Sequence, residues 1–327
     1  MIYGAGGVGA TIGARLFLAG CRVDLIARGA HLDALRRDGL TFRTPTESHL
    51  LRIPAVAHPD EIAWSEESVV LVCVKSQHTA SALEALARVP LADLPLVCAQ
   101  NGVDNERAAL RRFARVYGMV VVLPAVHLEP GVVVTHAQAP GGMLDVGRYP
   151  TGVDPLAQAL ASELSRAGFS SRADAAVMRQ KYAKLLMNLN NALQAVTGMR
   201  EGADEIATTL RDEAIACYRA AGIDWMGAEE TRGRRRDGLR LAEVPGAPRA
   251  GGSSWQSLAR GTGDVESDYL NGEIVLLGRL HGVPTPANVV LQQMARELAA
   301  ARGAPGSVSV ADVRARIDAE GARTSSR

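Results

Sequence analysis

Of the 36 basic side chains in this 327-residue chain, only three are lysines, Lys75, Lys181 and Lys184; the other 33 are arginines. A compositional bias toward Ala, Gly and Arg accounts for the skew, so a retained lysine marks a position where arginine does not serve. An ammonium can give up a proton near neutral pH when its pKa is lowered, whereas a guanidinium stays charged. Lys184, Asn188 and Asn191 stand at i, i+4 and i+7, one face of a helix, among the apolar Leu185, Leu186, Met187 and Leu189. An ammonium and two carboxamides in such a run suggest a cleft, and a lysine desolvated there works as a general acid near pH 7. Taken alone, the stretch also fits a lysine at the polar seam of an amphipathic helix. Lys181, one turn earlier, is the competitor and reads as the more solvated of the two.

A second group of residues suits phosphate binding. Met1-Ile2-Tyr3 leads into Gly4-Ala5-Gly6-Gly7-Val8-Gly9, and Ala10 to Ala19 is helical in pattern. In this GxGxxG, Gly4 permits a tight turn, Gly6 lets the backbone approach a pyrophosphate, and Gly9 lets helix pack on strand. The helix N-terminus adds amide donors and a positive dipole end. The first strand is short, which predicts a natural start a few residues upstream. At the end of the second strand, Arg22 to Ala27, the acid expected of an NAD site is missing: Asp24 comes three residues early and Arg28 stands at the edge. A guanidinium there clamps a 2′-phosphate, so the expected cofactor is NADPH. Lys75 follows the apolar run 69–74, and Asn101 follows 96–99 in Gln100-Asn101-Gly102-Val103. Both fall at carboxyl ends of strands, where doubly wound sheets bind ligands.

The elements that must position these residues are legible. Val23 to Ala27, Val69 to Val74, Leu96 to Ala99 and Val116 to Val122 read as buried strands, alternating with helical stretches such as Ala80 to Ala87 and Asn105 to Phe113. That alternation predicts a parallel sheet covered by helices. A more antiparallel portion follows, with turns at Glu129-Pro130-Gly131 and Pro140-Gly141-Gly142. Asp154 then N-caps a helix that has Pro155 at its first position. After about Asp174 the strands stop, and Ala175 to Thr197, Asp204 to Ala221, Val265 to His281 and Ala287 to Ala301 read as long helices. The expected architecture is α/β: an N-terminal Rossmann-like domain over residues 1–173 and an all-α C-terminal domain over 174–327. Arg232 to Gly252 reads as a mobile surface loop, and the terminal Thr-Ser-Ser-Arg as a frayed tail.

The remaining composition excludes other classes. A net charge of +1 gives no general attraction to nucleic acid or anionic membrane. No apolar run approaches the ~18 residues of a membrane span, and no signal peptide is apparent. The four cysteines form no CxxC pair and read as reduced core residues of a cytoplasmic protein. The seven histidines show no metal-ligand spacing, so no metal is expected.

Together these residues resemble the ketopantoate reductase (2-dehydropantoate 2-reductase) family over nearly the whole chain. The resemblance is carried by the glycine loop, Arg28, Val74-Lys75-Ser76-Gln77, Gln100-Asn101-Gly102, Lys184-Leu185-Leu186-Met187-Asn188, Ser253-Ser254, Glu266 to Gly272 and Gly282-Val283-Pro284-Thr285-Pro286. It implies NADPH-dependent reduction of 2-dehydropantoate, a small 2-oxo acid, to pantoate in coenzyme A biosynthesis. Lys184 matches the family's proton donor and Glu266 the carboxylate that orients the lysine and substrate beside the cofactor. Asn101 matches an asparagine near nicotinamide and substrate. Asn188 and Ser254 match groups that bind the substrate's hydroxyl and carboxylate, and Arg28 and Lys75 match contacts around the 2′-phosphate.

The chain departs from the family pattern in two places. A second asparagine eight residues after the lysine, followed by proline, is replaced by Ala192 and Leu193, and a common aspartate is replaced by Leu258. On an ideal helix turning ~100° per residue, Asn191 lies about 20° from the Lys184 direction and position 192 about 80° away. Asn191 is therefore expected to supply the missing polar contact. The competing readings are a dehydrogenase of another oxo acid or an opine-like compound, and a nucleotide-binding regulatory protein without turnover. The helical domain is also a surface through which a homodimer could form.

Overall fold

A computed structural model describes residues 1–325. The chain divides into two compact units, one made of Met1–Lys181 with Met226–Arg249, the other of Tyr182–Trp225 with the chain from Ala250 onward.

The first unit is built on a seven-stranded sheet. Its strands are β1 (Ile2–Tyr3), β2 (Leu25–Ile26), β5 (Ala55–Val56), β6 (Val70–Val72), β7 (Leu96–Cys98), β8 (Val116–Val122) and β12 (Met143–Arg148). They lie in the order β12-β8-β7-β6-β1-β2-β5. All neighbours are parallel except β12, which runs antiparallel to β8. The order reverses direction at β1, so the carboxyl ends of β1 and β6 flank the point at which such sheets bind ligands.

Both faces of the sheet are buried, and alternate residues serve opposite faces. Ile2, Leu25, Leu71, Val97 and Tyr117 pack under α1 (Gly7–Leu18) and α5 (Pro155–Arg166). Val70, Val72, Leu96, Cys98 and Val116 pack on the other face with Leu83 and Leu86 of α3 (Thr79–Leu86) and Ala109 of α4 (Asn105–Leu110). Helix α2 (Gly29–Arg37) follows β2. At the start of α5 the Asp154 carboxylate accepts the Ala157 amide at 2.9 Å, as the Asp-Pro pair predicts. A four-stranded sheet of β4 (Ser48–Leu51), β3 (Leu40–Arg43), β10 (Val132–Thr135) and β9 (Ala125–Val126) completes this portion.

Three expectations are corrected. The segment read as a loop over Arg232 to Gly252 carries the end of α9 (Ala228–Gly238) and β13 (Leu239–Leu241), which pairs antiparallel with β11 (Ala137–Gly141). Strands therefore do not stop at Asp174. The Arg-rich composition misled because Arg234 is almost fully buried: its Nε donates to the Asp145 carboxylate at 2.8 Å and its Nη1 to Ser170 Oγ at 2.8 Å. Second, the helix expected over Ala175 to Thr197 is broken at Leu189 into α6 (Val177–Asn188) and α7 (Asn190–Thr197). Third, Thr324 and Ser325, read as part of a frayed tail, are the end of α13 (Val310–Ser325); Ser326 and Arg327 lie outside the described residues.

The second unit is helical throughout. It contains α7, α8 (Ala203–Ala220), α10 (Ser253–Ala259), α11 (Asn271–His281), α12 (Pro286–Ala300) and α13, with a 3-10 turn at Glu266–Tyr269. The stretch expected as one helix from Val265 is thus a 3-10 turn and then α11. A buried polar ladder ties the unit together. Asn271 Nδ2 donates to the Leu189 carbonyl at 3.3 Å and to Asn288 Oδ1 at 3.1 Å. Asn288 Nδ2 donates in turn to Glu213 at 2.7 Å, and Glu213 also accepts the Ala287 and Asn288 amides that open α12. The Leu189 carbonyl at the helix break thereby has a buried side-chain donor. Among the described residues no helix is long and apolar enough to cross a membrane.

Candidate functional site

The glycine loop follows β1, and its three glycines meet different surroundings. Gly4 has φ +102°, and a Cβ there would lie 2.8 Å from Val74 Cγ1. A Cβ on Gly9 would lie 2.1 Å from the Gly4 carbonyl oxygen. A Cβ on Gly6 would meet nothing within 4 Å. Two glycines are thus demanded by packing, whereas Gly6 borders open space. Gly6 is also the N-cap of α1, a 12-residue helix with neither a side-chain cap nor an acidic residue in its first turn. Amides of that turn suit an anion. The loop's backbone is held by the Gly4 and Ala5 amides, which donate to the Ile26 carbonyl at 3.1 and 3.0 Å. His31, which sequence reasoning did not single out, accepts from the Gly131 amide at Nδ1 (2.9 Å), leaving Nε2–H to donate to the Ala5 carbonyl at 2.7 Å. No local signal marks it, because its partners are remote in sequence.

Arg28 is exposed just beyond β2 and is the N-cap residue of α2. Its charge reaches the loop: burial pushes the Tyr3 phenol up, and the Arg28 guanidinium opposes that shift. Lys75 is half-buried beyond β6, heading a 3-10 turn over Ser76–His78. Asn101 is half-buried beyond β7, followed by Gly102 at φ +78°.

The segments carrying Lys75 and Asn101 are cross-linked by buried hydrogen bonds. Gln100 Nε2 donates to the Val74 carbonyl and to Thr79 Oγ1, each at 2.8 Å. Thr79 Oγ1 donates to Asn105 Oδ1 at 2.7 Å, and Asn105 Nδ2 reaches the Asn101 carbonyl at 3.0 Å and Ser76 Oγ at 3.2 Å. Lys181 joins the same group and corrects the expectation that it is solvated. Its side chain is 3% exposed, paired with the fully buried Glu106, and its Nζ donates to the Gln100 carbonyl at 3.0 Å. Burial pushes the Glu106 carboxyl up, opposed by the Lys181 ammonium. Sequence reasoning missed Gln100, Asn105 and Glu106 as a group; their clustering beside Asn101 was the available signal.

In the helical unit Lys184 is half-buried, and its Nζ donates to Asn188 Oδ1 at 3.0 Å, the i, i+4 pair that the spacing predicts. Asn191 turns to α10, where its Nδ2 approaches Ser253 Oγ at 3.5 Å. Next to it, Ser254 is buried and its hydroxyl finds no partner among the described residues. A buried hydroxyl without a partner asks for one. The α10 N-terminus is fixed by the Gly252 amide, which donates to Gln194 Oε1 at 2.6 Å. Glu266 is buried in its 3-10 turn. The two departures from the expected pattern, Ala192 and Leu258, are both buried apolar residues, on helices α7 and α10 that pack together. Among the described residues no group of three or more His, Cys, Asp or Glu side chains could hold a metal ion.

Comparison with known proteins identifies the family. Residues 1–150 match the family model of ketopantoate reductase PanE/ApbA, and residues 176–299 match that of its C-terminal part. A 2-dehydropantoate 2-reductase of Archaeoglobus fulgidus is 29% identical over 304 residues, spanning 90% of this chain and 96% of its own. One from Pyrococcus horikoshii is 27% identical over 300 residues, spanning 89% and 94%. Among solved structures, a PanE/ApbA family ketopantoate reductase from Ralstonia eutropha JMP134 has a TM-score of 0.76 at 29% identity, covering 92% of this chain and 99% of that one. The two family models together span most of both units, and the chain belongs to the ketopantoate reductase family of NADPH-dependent oxidoreductases.

Proposed function

We propose that this chain reduces 2-dehydropantoate to pantoate with NADPH, with Lys184 as proton donor. The observation that carries the reading is the Lys184 ammonium, half-buried and bonded to Asn188 Oδ1 at 3.0 Å. The bond to the Asn188 carboxamide orients the ammonium, whose protons are the ones a reduced carbonyl oxygen requires. Reduction places negative charge on the carbonyl oxygen, and a donor already in position neutralises it without reorganisation. Lys184 gives its proton to that oxygen and recovers one from solvent.

The fit of the cofactor rests on the open side of Gly6 and the uncapped first turn of α1. The residues that hold it are Gly4, Ala5, Gly6, Gly7, Val8 and Gly9 for the pyrophosphate, and Arg28 and Lys75 for the 2′-phosphate. Asn101 and Glu266 stand near the nicotinamide. When bound, NADPH supplies the hydride. Asn188, Asn191 and Ser254 bind the substrate's carboxylate and hydroxyl, and the unpartnered Ser254 hydroxyl supports that role. Residues 1–173 and 174–327 divide the work into cofactor binding and substrate binding. The same reading places the enzyme in the cytoplasm and allows a homodimer through the helical unit, which sedimentation at micromolar concentration tests.

A second reading, reduction of a different 2-oxo acid, is favoured by one observation. Ala192 and Leu258 are buried apolar residues at positions where the family resemblance expects groups that hydrogen-bond the ligand. Losing such groups alters which ligand a pocket prefers. The test is NADPH oxidation across a panel of 2-oxo acids. Turnover confined to 2-dehydropantoate supports the first reading, and a preference for an acid lacking the hydroxyl supports the second. NADPH binding with no turnover on any member refutes both. Lys184→Arg is expected to lower kcat by about three orders of magnitude, the scale of a lost general acid, with NADPH affinity unchanged. Retained turnover would remove Lys184 from the mechanism.

A further inference from the structure

We propose that the buried Lys181–Glu106 pair is a positioning device for Asn101, acting on the reaction through the Gln100–Asn101–Gly102 turn rather than by touching substrate or cofactor. The side chains are 3% and 0% exposed. Removing two charges from water is expensive, and a buried ion pair is often no more stabilising than apolar residues of similar volume. Stability therefore gives little reason for the pair.

What the pair does locally is specific. Lys181 Nζ, held by Glu106, donates to the Gln100 carbonyl at 3.0 Å. Asn105 Nδ2 donates to the Asn101 carbonyl at 3.0 Å. Those two carbonyls belong to the peptide planes on either side of the Asn101 Cα. Fixing both planes fixes φ and ψ of Asn101 and with them the direction in which its side chain leaves the backbone. The turn has no regular structure to do this instead: β7 ends at Cys98, and Gly102, at φ +78°, adds freedom immediately after Asn101.

The proposal rests on the reductase reading for Asn101, and its test is a double-mutant cycle between the pair and Asn101. Lys181→Met with Glu106→Leu removes both charges at similar volume. Lys181→Gln with Glu106→Gln is a second, polar and uncharged pair, so the test survives if one pair fails to fold. Each pair is combined with Asn101→Ala. With Asn101 present, kcat/KM for 2-dehydropantoate is expected to fall on the order of tenfold or more, since misplacing a catalytic group by about 1 Å costs up to a hundredfold. In the Asn101→Ala background the same substitutions are expected to change it by less than about twofold, because the group they position is gone. Equal losses in both backgrounds, or no loss in either, would overturn the proposal. The same cycle read on the NADPH dissociation constant, by nucleotide fluorescence, applies whatever the oxo acid proves to be. Absence of turnover by the wild-type protein would therefore sink the reductase reading while this cycle still decides the role of the pair.

Discussion

Two glycines three residues apart are expected to fail in opposite ways when each becomes alanine. At Gly9 the new Cβ would stand 2.1 Å from the Gly4 carbonyl oxygen, 2.8 Å from Ile2 Cγ2 and 3.0 Å from Cys73 Cβ. The first contact is with backbone, so α1 must move away from β1, and overpacking of this kind costs about 3 kcal/mol. At roughly 2–4 °C per kcal/mol in a protein of this size, Gly9→Ala should melt about 6–12 °C below wild type. At Gly6 the backbone is already in a region open to any residue, φ −73° and ψ −165°, and the Cβ meets nothing within 4 Å. Gly6→Ala should therefore change stability by less than about 1 kcal/mol. Its methyl occupies the space a pyrophosphate needs, and losing one amide bond to a charged phosphate removes about 1.5–3 kcal/mol of binding. That is on the order of ten- to a hundredfold in the NADPH dissociation constant. The assay is thermal unfolding beside NADPH fluorescence titration on the same samples. Gly6→Ala binding NADPH as tightly as wild type would refute the reasoning and reduce Gly4 to Gly9 to an ordinary glycine turn.

Other outcomes follow from the same geometry. Arg28→Ala should raise KM for NADPH by about tenfold or more and leave KM for NADH nearly unchanged, the signature of a lost 2′-phosphate partner; equal effects on both would remove Arg28 from that role. Arg234→Ala strands the fully buried Asp145 carboxylate and should destabilise the first unit by about 3–5 kcal/mol, measured by urea unfolding; a change below about 1 kcal/mol would show that Arg172 compensates. His136 is buried, and burial lowers its pKa, opposed by a hydrogen bond with the Ala242 backbone. The unfolded chain thus takes up a proton, as pH falls through about 6.5, that the native state refuses, so stability drops on the acid side. His136→Leu should flatten that limb of a Tm-against-pH curve, and an unchanged slope would assign the acid sensitivity elsewhere.

How much was legible depends on where each residue's partners lie. Val116 to Val122 appears as a strand over the expected residues, and Asp154-Pro155 opens a helix, because a run of β-branched residues and an N-cap are local statements. Lys184 and Asn188 pair for the same reason, one turn apart. Lys181 was misread because its partner, Glu106, is 75 residues away and nothing around Lys181 announces a buried carboxylate. The Arg232 to Gly252 segment was misread likewise. Three consecutive arginines look solvated until Asp145, 89 residues from Arg234, is brought beneath one of them.

By itself, then, the sequence determined the glycine turn after a first short strand, the alternation that makes a doubly buried parallel sheet, the helical character of the second unit, and the face shared by Lys184 and Asn188. Each of these follows from backbone preference and side-chain periodicity over a few residues. The tertiary structure alone decided which of the three lysines is buried against a carboxylate, which glycine borders open space, and that a strand after α9 returns to pair with β11. Those outcomes depend on burial and on contacts between residues far apart in the chain, and burial is what turns a surface charge into an anchor for the turn that holds Asn101.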